Sequence, residues 1–504
     1  MKKLLAFLLL LNSALLAQPL ELGSRLEMFV DHFLIDEMDG VSLEMQKPHN
    51  AGHALDFNDP WDRDASGYAT VIEDDGLYRM YYRGGPADDS AGKDEGSTSF
   101  FCYAESRDGI NWVKPELGLV EFEGSTANNI LLSPSPKDDP YTQSLAPFID
   151  RRPGVPADER YKAIGGQWPQ GLYVSVSPDG IHWRKWRDEP VFSNGAFDSQ
   201  NVAFWSESEE CYVLYFRVFS GWTNYASDQK WKTTGFRTIS RTTSPDLINW
   251  SEPERMSFGA TPLEQLYTNH THPYFRAPHL YIATPMRFVP GRRFLNDEEL
   301  AAQGVGKNFL GIVRGTHNIP NELSDTVLMT SRGGARYDRS FMESFVRPGL
   351  DRGNWVSRNS IPATGIVQTG PAEMSIYVGQ NYVQPTAHLA RYTLRLDGLG
   401  AVSAPYAGGE MITKPLTFTG NQLVLNAATS AAGSIRVEIQ TAEGNPIPGF
   451  TLEECPIFVG DSLEKVVTWD NGGDLSKLEG QAVRLRFVMM DADLFALQFN
   501  PTKS

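Results

Sequence analysis

Apolar and polar residues alternate with a period of two along most of this chain, and the alternating runs come in pairs. Leu77-Tyr78-Arg79-Met80-Tyr81-Tyr82-Arg83 is followed by residues 99–105, Tyr161 to Gly165 by Leu172 to Val176, and Tyr212 to Phe216 by Phe236 to Ser240. His279 to Ala283 pairs likewise with Thr326 to Thr330, and Met374 to Val378 with Leu389 to Leu396. Side chains of a strand point to one face every second residue, so each run predicts a half-buried β-strand and each pair a hairpin. A helical period is confined to residues 297–303, where it predicts one short helix.

A short phrase follows the first four pairs. Its full copies are Ser106-Arg107-Asp108-Gly109-Ile110-Asn111-Trp112, Ser177-Pro178-Asp179-Gly180-Ile181-His182-Trp183 and Ser244-Pro245-Asp246-Leu247-Ile248-Asn249-Trp250, with a worn copy from Ser331 to Tyr337. Asp and Gly suit a turn and Trp offers a large face to an adjoining sheet, so the phrase punctuates units and does not catalyse. The copies stand about seventy to ninety residues apart, the length of a four-stranded sheet with its loops, which predicts an all-β chain built as a five-bladed β-propeller. Its span is residues 55–404.

Between Leu396 and Gly409 the pattern breaks at Asp397-Gly398 and Pro405, then resumes in Leu423 to Leu425, Ser434 to Ile439, Val466 to Trp469 and Val483 to Phe487. These alternating runs, joined by Gly, Asn and Pro turns, predict a β-sandwich over residues 405–504. Residues 18–54 form an N-terminal segment. Residues 1–17 carry Met1-Lys2-Lys3, an apolar core and small residues toward Ala17, the pattern of a secretory signal and too short for a membrane span. A secreted or periplasmic location is expected.

A chain of 504 residues exceeds one hydrophobic core, in keeping with two domains. The formal charge of −17 disfavours nucleic acid as a partner, because phosphate binding needs a basic face. Cys102, Cys211 and Cys455 are too few for a disulfide framework or a zinc site and are expected as buried thiols. Phosphate loops, nucleotide fingerprints and the serine elbow are missing, and the acidic stretch from Asp88 to Glu95 lacks calcium-loop spacing, so neither an organic cofactor nor a metal is expected.

In a propeller the innermost strands line a central channel, and side chains at their starts converge on one mouth. The starts are assigned to Asn58 through Ser66-Gly67-Tyr68, Gln143-Ser144, Phe197 to Asn201, Tyr267 to Tyr274 and Thr369 to Glu373. Five blades with carboxylates at those starts and a trailing sandwich resemble the propeller glycoside hydrolases of families 32 (invertase-like) and 43. The nucleophile motif of family 32 is echoed by Asn58-Asp59-Pro60, but Trp61-Asp62 follows in place of Asn-Gly. The Arg-Asp-Pro motif is absent, and Glu210-Cys211 and Glu454-Cys455 match the acid motif by chance.

The resemblance implies a carbohydrate substrate cleaved by two carboxyl groups flanking the bond, with a third acid to orient the donor. Asp62 is the candidate base or nucleophile, with Asp59 and Asp64 as alternatives. Asp198 is the orienting acid, and Glu343 the proton donor with Glu373 as its alternative and a substrate contact. Arg83, Arg217 and Arg287 follow equivalent strands, and Arg276 lies just past Tyr274-Phe275. Turned inward, their guanidiniums would select an anionic sugar; turned between blades, they would pair with Asp108, Asp179 or Asp246. Asn269 and His272 are further substrate-binding candidates. Non-catalytic glycan binding and phosphorolysis are the alternative functions.

Overall fold

A computed structural model describes residues 18–62, 66–85, 99–136, 138–221, 235–305 and 322–501. The expected leader at 1–17, Asp64 and the acidic stretch at 88–95 lie outside these residues. The chain divides into two compact units, Glu44–Ala401 and a second made of the residues up to Leu43 with those from Val402 onward.

The larger unit is built from small antiparallel sheets, as in a propeller. The first sheet runs Gly67–Asp74, Leu77–Gly84, Phe100–Ser106, Ile130–Leu132, and the second Ala146–Ile149, Tyr161–Gln167, Gly171–Ser177, Arg184–Lys185. The third runs Val202–Ser206, Cys211–Phe219, Arg237–Ser244, Glu254–Arg255. The fourth is interrupted: His272–Tyr274, Ala277–Ala283 and Met329–Ser331 form one part, and Gln265–Leu266, Met286–Pro290, Glu322–Val327 and Ser344–Val346 the other. Thr284 and Pro285 separate the parts, and proline has no N–H to continue a ladder.

The fifth sheet holds Val367–Gly370, Glu373–Gln380 and His388–Arg395, and its outermost strand comes from the other end of the unit, His49–Asp56, with Asp56 opposite His388 and His49 opposite Thr393. This pairing covers an edge that would otherwise be free. The boundary drawn at residue 55 therefore cuts through a strand. His49 to Gly52 are exposed and show no alternation, so the pattern could not register them.

The first strands of successive sheets lie against one another, first to second, second to third, third to fourth and fifth to first. Thr70 and Thr364 bridge the fifth and first sheets, and His270 Nδ1 lies 2.9 Å from Thr364 Oγ1 between the fourth and fifth. The inner strands thus ring a common channel.

The repeated phrase occupies one position in the first three sheets, directly after the third strand. Asp108 accepts from the amides of Ile110 and Asn111, both at 2.8 Å, and Asp179 and Asp246 accept from the corresponding amides. These donors hold the Asp179 carboxyl down at about 2, with burial opposing them. Each Trp Nε1 donates to the carbonyl of the phrase's fourth residue, Gly109, Gly180 or Leu247. Trp183 meets Tyr81 of the first sheet edge-on at 6.0 Å, and Trp112 meets Tyr377 of the fifth at 5.5 Å. Such pairs contribute about 0.5–1.5 kcal/mol beyond area burial. In the worn copy, Tyr337 is fully buried against Tyr215 and Phe258.

The smaller unit is one bent ten-stranded sheet rather than separate short strands. Gln422–Thr441 and Val483–Asn500 run its whole length, paired, with a register shift between Thr429 and Ser434. Leu423 and Leu425 before the shift share one core with Ile435, Val437 and Ile439 after it, so the halves fold over each other. Leu20–Gly23 pairs with Leu416–Phe418 and Ile35–Asp39 with Gly409–Thr413, which places much of the N-terminal segment in this sheet. The short helix forms at Asp297–Ala302, capped reciprocally by Asn296 and Glu299. Among the described residues no helix is long and apolar enough to cross a membrane.

Candidate active site

Backbone strain gathers where the chain enters the inner strands. Tyr68, Ser144, His270, Arg358 and Ser360 all take left-handed φ values between 48° and 61°. Non-glycine residues occupy that region at a cost, and such outliers collect at functional sites. Two of them, Tyr68 and Arg358, belong to a cluster of aromatic and cationic side chains at this mouth.

Tyr68 and Tyr267 stand at the heads of the first and fourth sheets, and both are buried. The Arg83 guanidinium lies 4.5 Å from the Tyr68 ring centre and donates to Tyr382 Oη at 3.2 Å. Around the Tyr267 ring stand Arg217 at 5.1 Å, Arg237 at 5.6 Å and Arg358 at 5.7 Å. Arg217 and the Tyr68 hydroxyl hydrogen-bond the Tyr267 oxygen. Burial alone would raise the Tyr267 phenol, but the three guanidiniums outweigh it and bring it down to about 7. Tyr68 is pushed up by burial and by Tyr267 beside it. Arg237 is held down at about 10, by burial first and by Arg217 next.

Two carboxylates join this cluster. Asp198 pairs with Arg217, its own side chain 37% exposed while that of Arg217 is 3% exposed. Glu322 begins the strand Glu322–Val327, is bonded by the Ser357 hydroxyl and lies 3.7 Å from Arg358. Burial raises the Glu322 carboxyl, with Ser357, Arg358 and Arg237 opposing it. A carboxyl raised by burial can hold a proton for donation, and one paired at the surface can act on a ligand.

A separate cavity of about 890 Å3 is lined by other parts of the inner strands, including Thr70, Phe148, Trp205, His272 and Thr364, and by none of the residues of the aromatic and cationic cluster. His270 and His272 are brought down to about 3 and about 4, chiefly by burial. His272 Nδ1 bonds the His270 carbonyl at 2.9 Å, so both rings are neutral hydrogen-bonding groups. Among the described residues no group of three His, Cys, Asp or Glu could hold a metal ion.

The structure brings Asp198, Arg83 and Arg217 to the mouth and disperses the other sequence candidates. Asn269 is buried two residues after Tyr267, its amide reaching the Tyr215 carbonyl at 3.4 Å. Asp62 is fully buried within the first sheet, accepting from Tyr82 Oη at 2.9 Å and paired with Lys114. Lys114 also holds Asp59 at 2.8 Å, so both acids serve one structural network. Glu343 is exposed, directly ahead of Ser344–Val346, the outermost strand of the fourth sheet. Glu373 lies across the hairpin from Gly370, at the far end of the fifth inner strand, and bonds Arg391 and Thr369 at 2.8 Å. The segment from Thr369 to Glu373 is thus the end of an inner strand and not its start. Arg276 sits at a similar hairpin and pairs with Asp397 at 3.3 Å. Arg287 is locked by Asp325 at 2.6 Å and Glu264 at 2.7 Å, partners other than the phrase aspartates.

Tyr68 and Tyr267 fall within segments assigned to strand starts, but a search for carboxylates and amides passes over phenols. Arg237 opens the strand after Cys211–Phe219 and could have been found by asking which strand faces Arg217. Nothing local marks Arg358 or Glu322. They arrive from a loop and from a strand interrupted in sequence.

No family model matches the chain. It is 29% identical over 153 residues to an uncharacterized protein of Mycobacterium tuberculosis strain H37Rv, covering 30% of this chain and 44% of that protein, and equally to its counterpart in strain CDC 1551. The match therefore spans less than half the length of these curated relatives. Among solved structures, the chain is similar to a family 43 arabinoxylan arabinofuranohydrolase from Bacillus subtilis, at 11% identity and a TM-score of 0.38 over 87% of this chain and 96% of that one. An N-acetylgalactosamine deacetylase from F. plautii aligns at 13% identity and a TM-score of 0.42 over 69% and 96%. A glycosyl hydrolase from Bacteroides ovatus aligns at 14% and 0.39 over 70% and 94%. None of these likenesses, all below a TM-score of 0.5, bears on the chemistry of the site.

Proposed function

We propose that this chain is a secreted glycoside hydrolase that takes a negatively charged sugar into the propeller mouth. The observation that carries this reading is the convergence of Arg83, Arg217, Arg237 and Arg358 with Asp198 and Glu322 around the tyrosines of the strand starts. Guanidinium forks bind carboxylate or sulfate bidentately, and a site partly shut from water strengthens such contacts. Asp198 and Glu322 supply the pair of carboxyl groups that hydrolysis requires.

Release of reducing ends from uronate-containing and neutral oligosaccharides tests the reading. Cleavage of the charged series is expected, lost about a hundredfold or more in Asp198→Asn and in Glu322→Gln with the fold intact. Arg217→Gln should weaken the charged substrate more than its neutral counterpart. The same arginines could hold phosphate, so a sugar phosphate formed only when phosphate is added would mark phosphorolysis instead. Binding of the charged series without cleavage would leave a glycan-binding protein, and no preference for charge would refute the reading.

A further inference from the structure

Tyr267 is placed as no structural tyrosine needs to be. Its ring is surrounded by guanidiniums from three chain segments: Arg217 of Cys211–Phe219, Arg237 of Arg237–Ser244, and Arg358 ahead of the fifth sheet. Its oxygen is the acceptor for both Arg217 and Tyr68. The other charged or titratable groups of the cluster are Arg83 and Tyr382 beside Tyr68, Glu322 beside Arg358, and Asp198 beside Arg217. Phe219 and Phe288 close the apolar side, with Arg237 at 5.5 and 4.4 Å from their rings.

We propose that Tyr267 sets the mouth's preference for anions: as a phenolate it occupies the arginines when the mouth is empty, and it takes up a proton when a carboxylated sugar binds them. The physical reason is exchange of one anion for another. A ligand carboxylate that draws on Arg217, Arg237 and Arg358 removes from Tyr267 the cations that stabilise its charge, and a second negative charge beside the phenolate is repelled. Proton uptake relieves both. An uncharged sugar does neither, so it leaves the phenolate in place and finds the arginines already engaged. Linkage then makes anion affinity fall as pH rises above about 7, the value to which the arginines bring this phenol.

The inference rests on the anionic-sugar reading for its ligand but not for its first half, which the free protein decides. Phenolate absorbance near 295 nm is followed from pH 5 to 9 in wild type, Tyr267→Phe and Arg237→Gln, with folding checked by circular dichroism. One tyrosine is expected to ionise near neutrality in wild type, to vanish in Tyr267→Phe, and to ionise at higher pH in Arg237→Gln. D-glucuronate added at pH 8 should lower the absorbance by about one phenolate, and D-glucose should not. The absence of any tyrosine ionising below pH 9, or a signal untouched by Tyr267→Phe, overturns the phenolate. An absorbance that glucuronate leaves unchanged overturns the coupling. A phenolate quenched by glucuronate in a protein that cleaves no glycan would leave this proposal standing and sink hydrolysis alone.

Discussion

Replacing Asp62 by Asn separates a catalytic aspartate from a structural one. The carboxylate is wholly buried, accepts from Tyr82 at 2.9 Å and pairs with Lys114, whose side chain is only 15% exposed. Asn keeps the acceptor for Tyr82 but turns an amide N–H2 toward the Lys114 ammonium, so a charge-assisted bond worth about 1.5–3 kcal/mol is lost. Leaving a buried charge without a partner costs about 3–5 kcal/mol. Lys114 escapes that penalty because Asp59 at 2.8 Å and the Asp56 carbonyl at 2.7 Å remain. Removing a charge that burial disfavours recovers part of the loss, and the net expectation is about 2 kcal/mol of destabilisation.

The pH dependence has a definite sign. Burial raises the Asp62 carboxyl above the ordinary 3.8, with Lys114 opposing, so the folded state holds this proton more tightly than the unfolded chain. Acidification through the raised value therefore favours wild type over the non-titrating Asn variant, an advantage fully present below 3.8 and lost as pH rises through the folded value. Urea unfolding of both proteins from pH 4 to 8 measures the gap, and turnover per folded molecule should match wild type. An unchanged midpoint with a hundredfold loss of turnover would show that Asp62 does chemistry and that its burial has been misread.

Gly180→Ala forces an L-residue to φ 79° with its methyl against Tyr81, and should cost about 2–3 kcal/mol in a thermal melt; a loss under about 0.5 would refute the tight interlock of phrase and neighbouring sheet. Arg287→Gln breaks ion pairs to Asp325 and Glu264 and should destabilise by about 1–3 kcal/mol without changing the preference for charged over neutral sugars, unlike Arg217→Gln. Glu343→Gln, exposed beside an outermost strand, should leave turnover unchanged, and a large loss would return it to the site. The lowered Tyr267 phenol adds stability as pH rises from about 7 toward 10, so wild type should gain on Tyr267→Phe across that range by up to about 1.4 kcal/mol per pH unit, readable in paired denaturant titrations.

Strand pairs and their punctuation were written locally. Alternation reports a half-buried surface whatever lies opposite, and a turn such as Ser106 to Trp112 satisfies its own polar groups, so both survive without tertiary context. Exposed or interrupted strands were legible only in part. His49–Asp56 is mostly solvent-facing and leaves no periodic trace, and the fourth sheet breaks at Pro285, so that its part at Ala277–Ala283 and Met329–Ser331 was registered while Gln265–Leu266 and Met286–Pro290 were not.

The site divides along the same line. Asp198, Arg83 and Arg217 belong to regular strands or their starts, which the alternation registers. Sequence alone could not tell the start of an inner strand from its end, which put Glu373 at the wrong end of the fifth sheet. Nor could it say that the Asp62 carboxylate turns toward Lys114, fifty-two positions away. Arg237, Tyr267, Glu322 and Arg358 meet only because four separate chain segments end at one mouth. The charge they bring together, and the ionisation of Tyr267 that follows from it, depends on distances between side chains remote in sequence, and only the closed ring of sheets determines those distances.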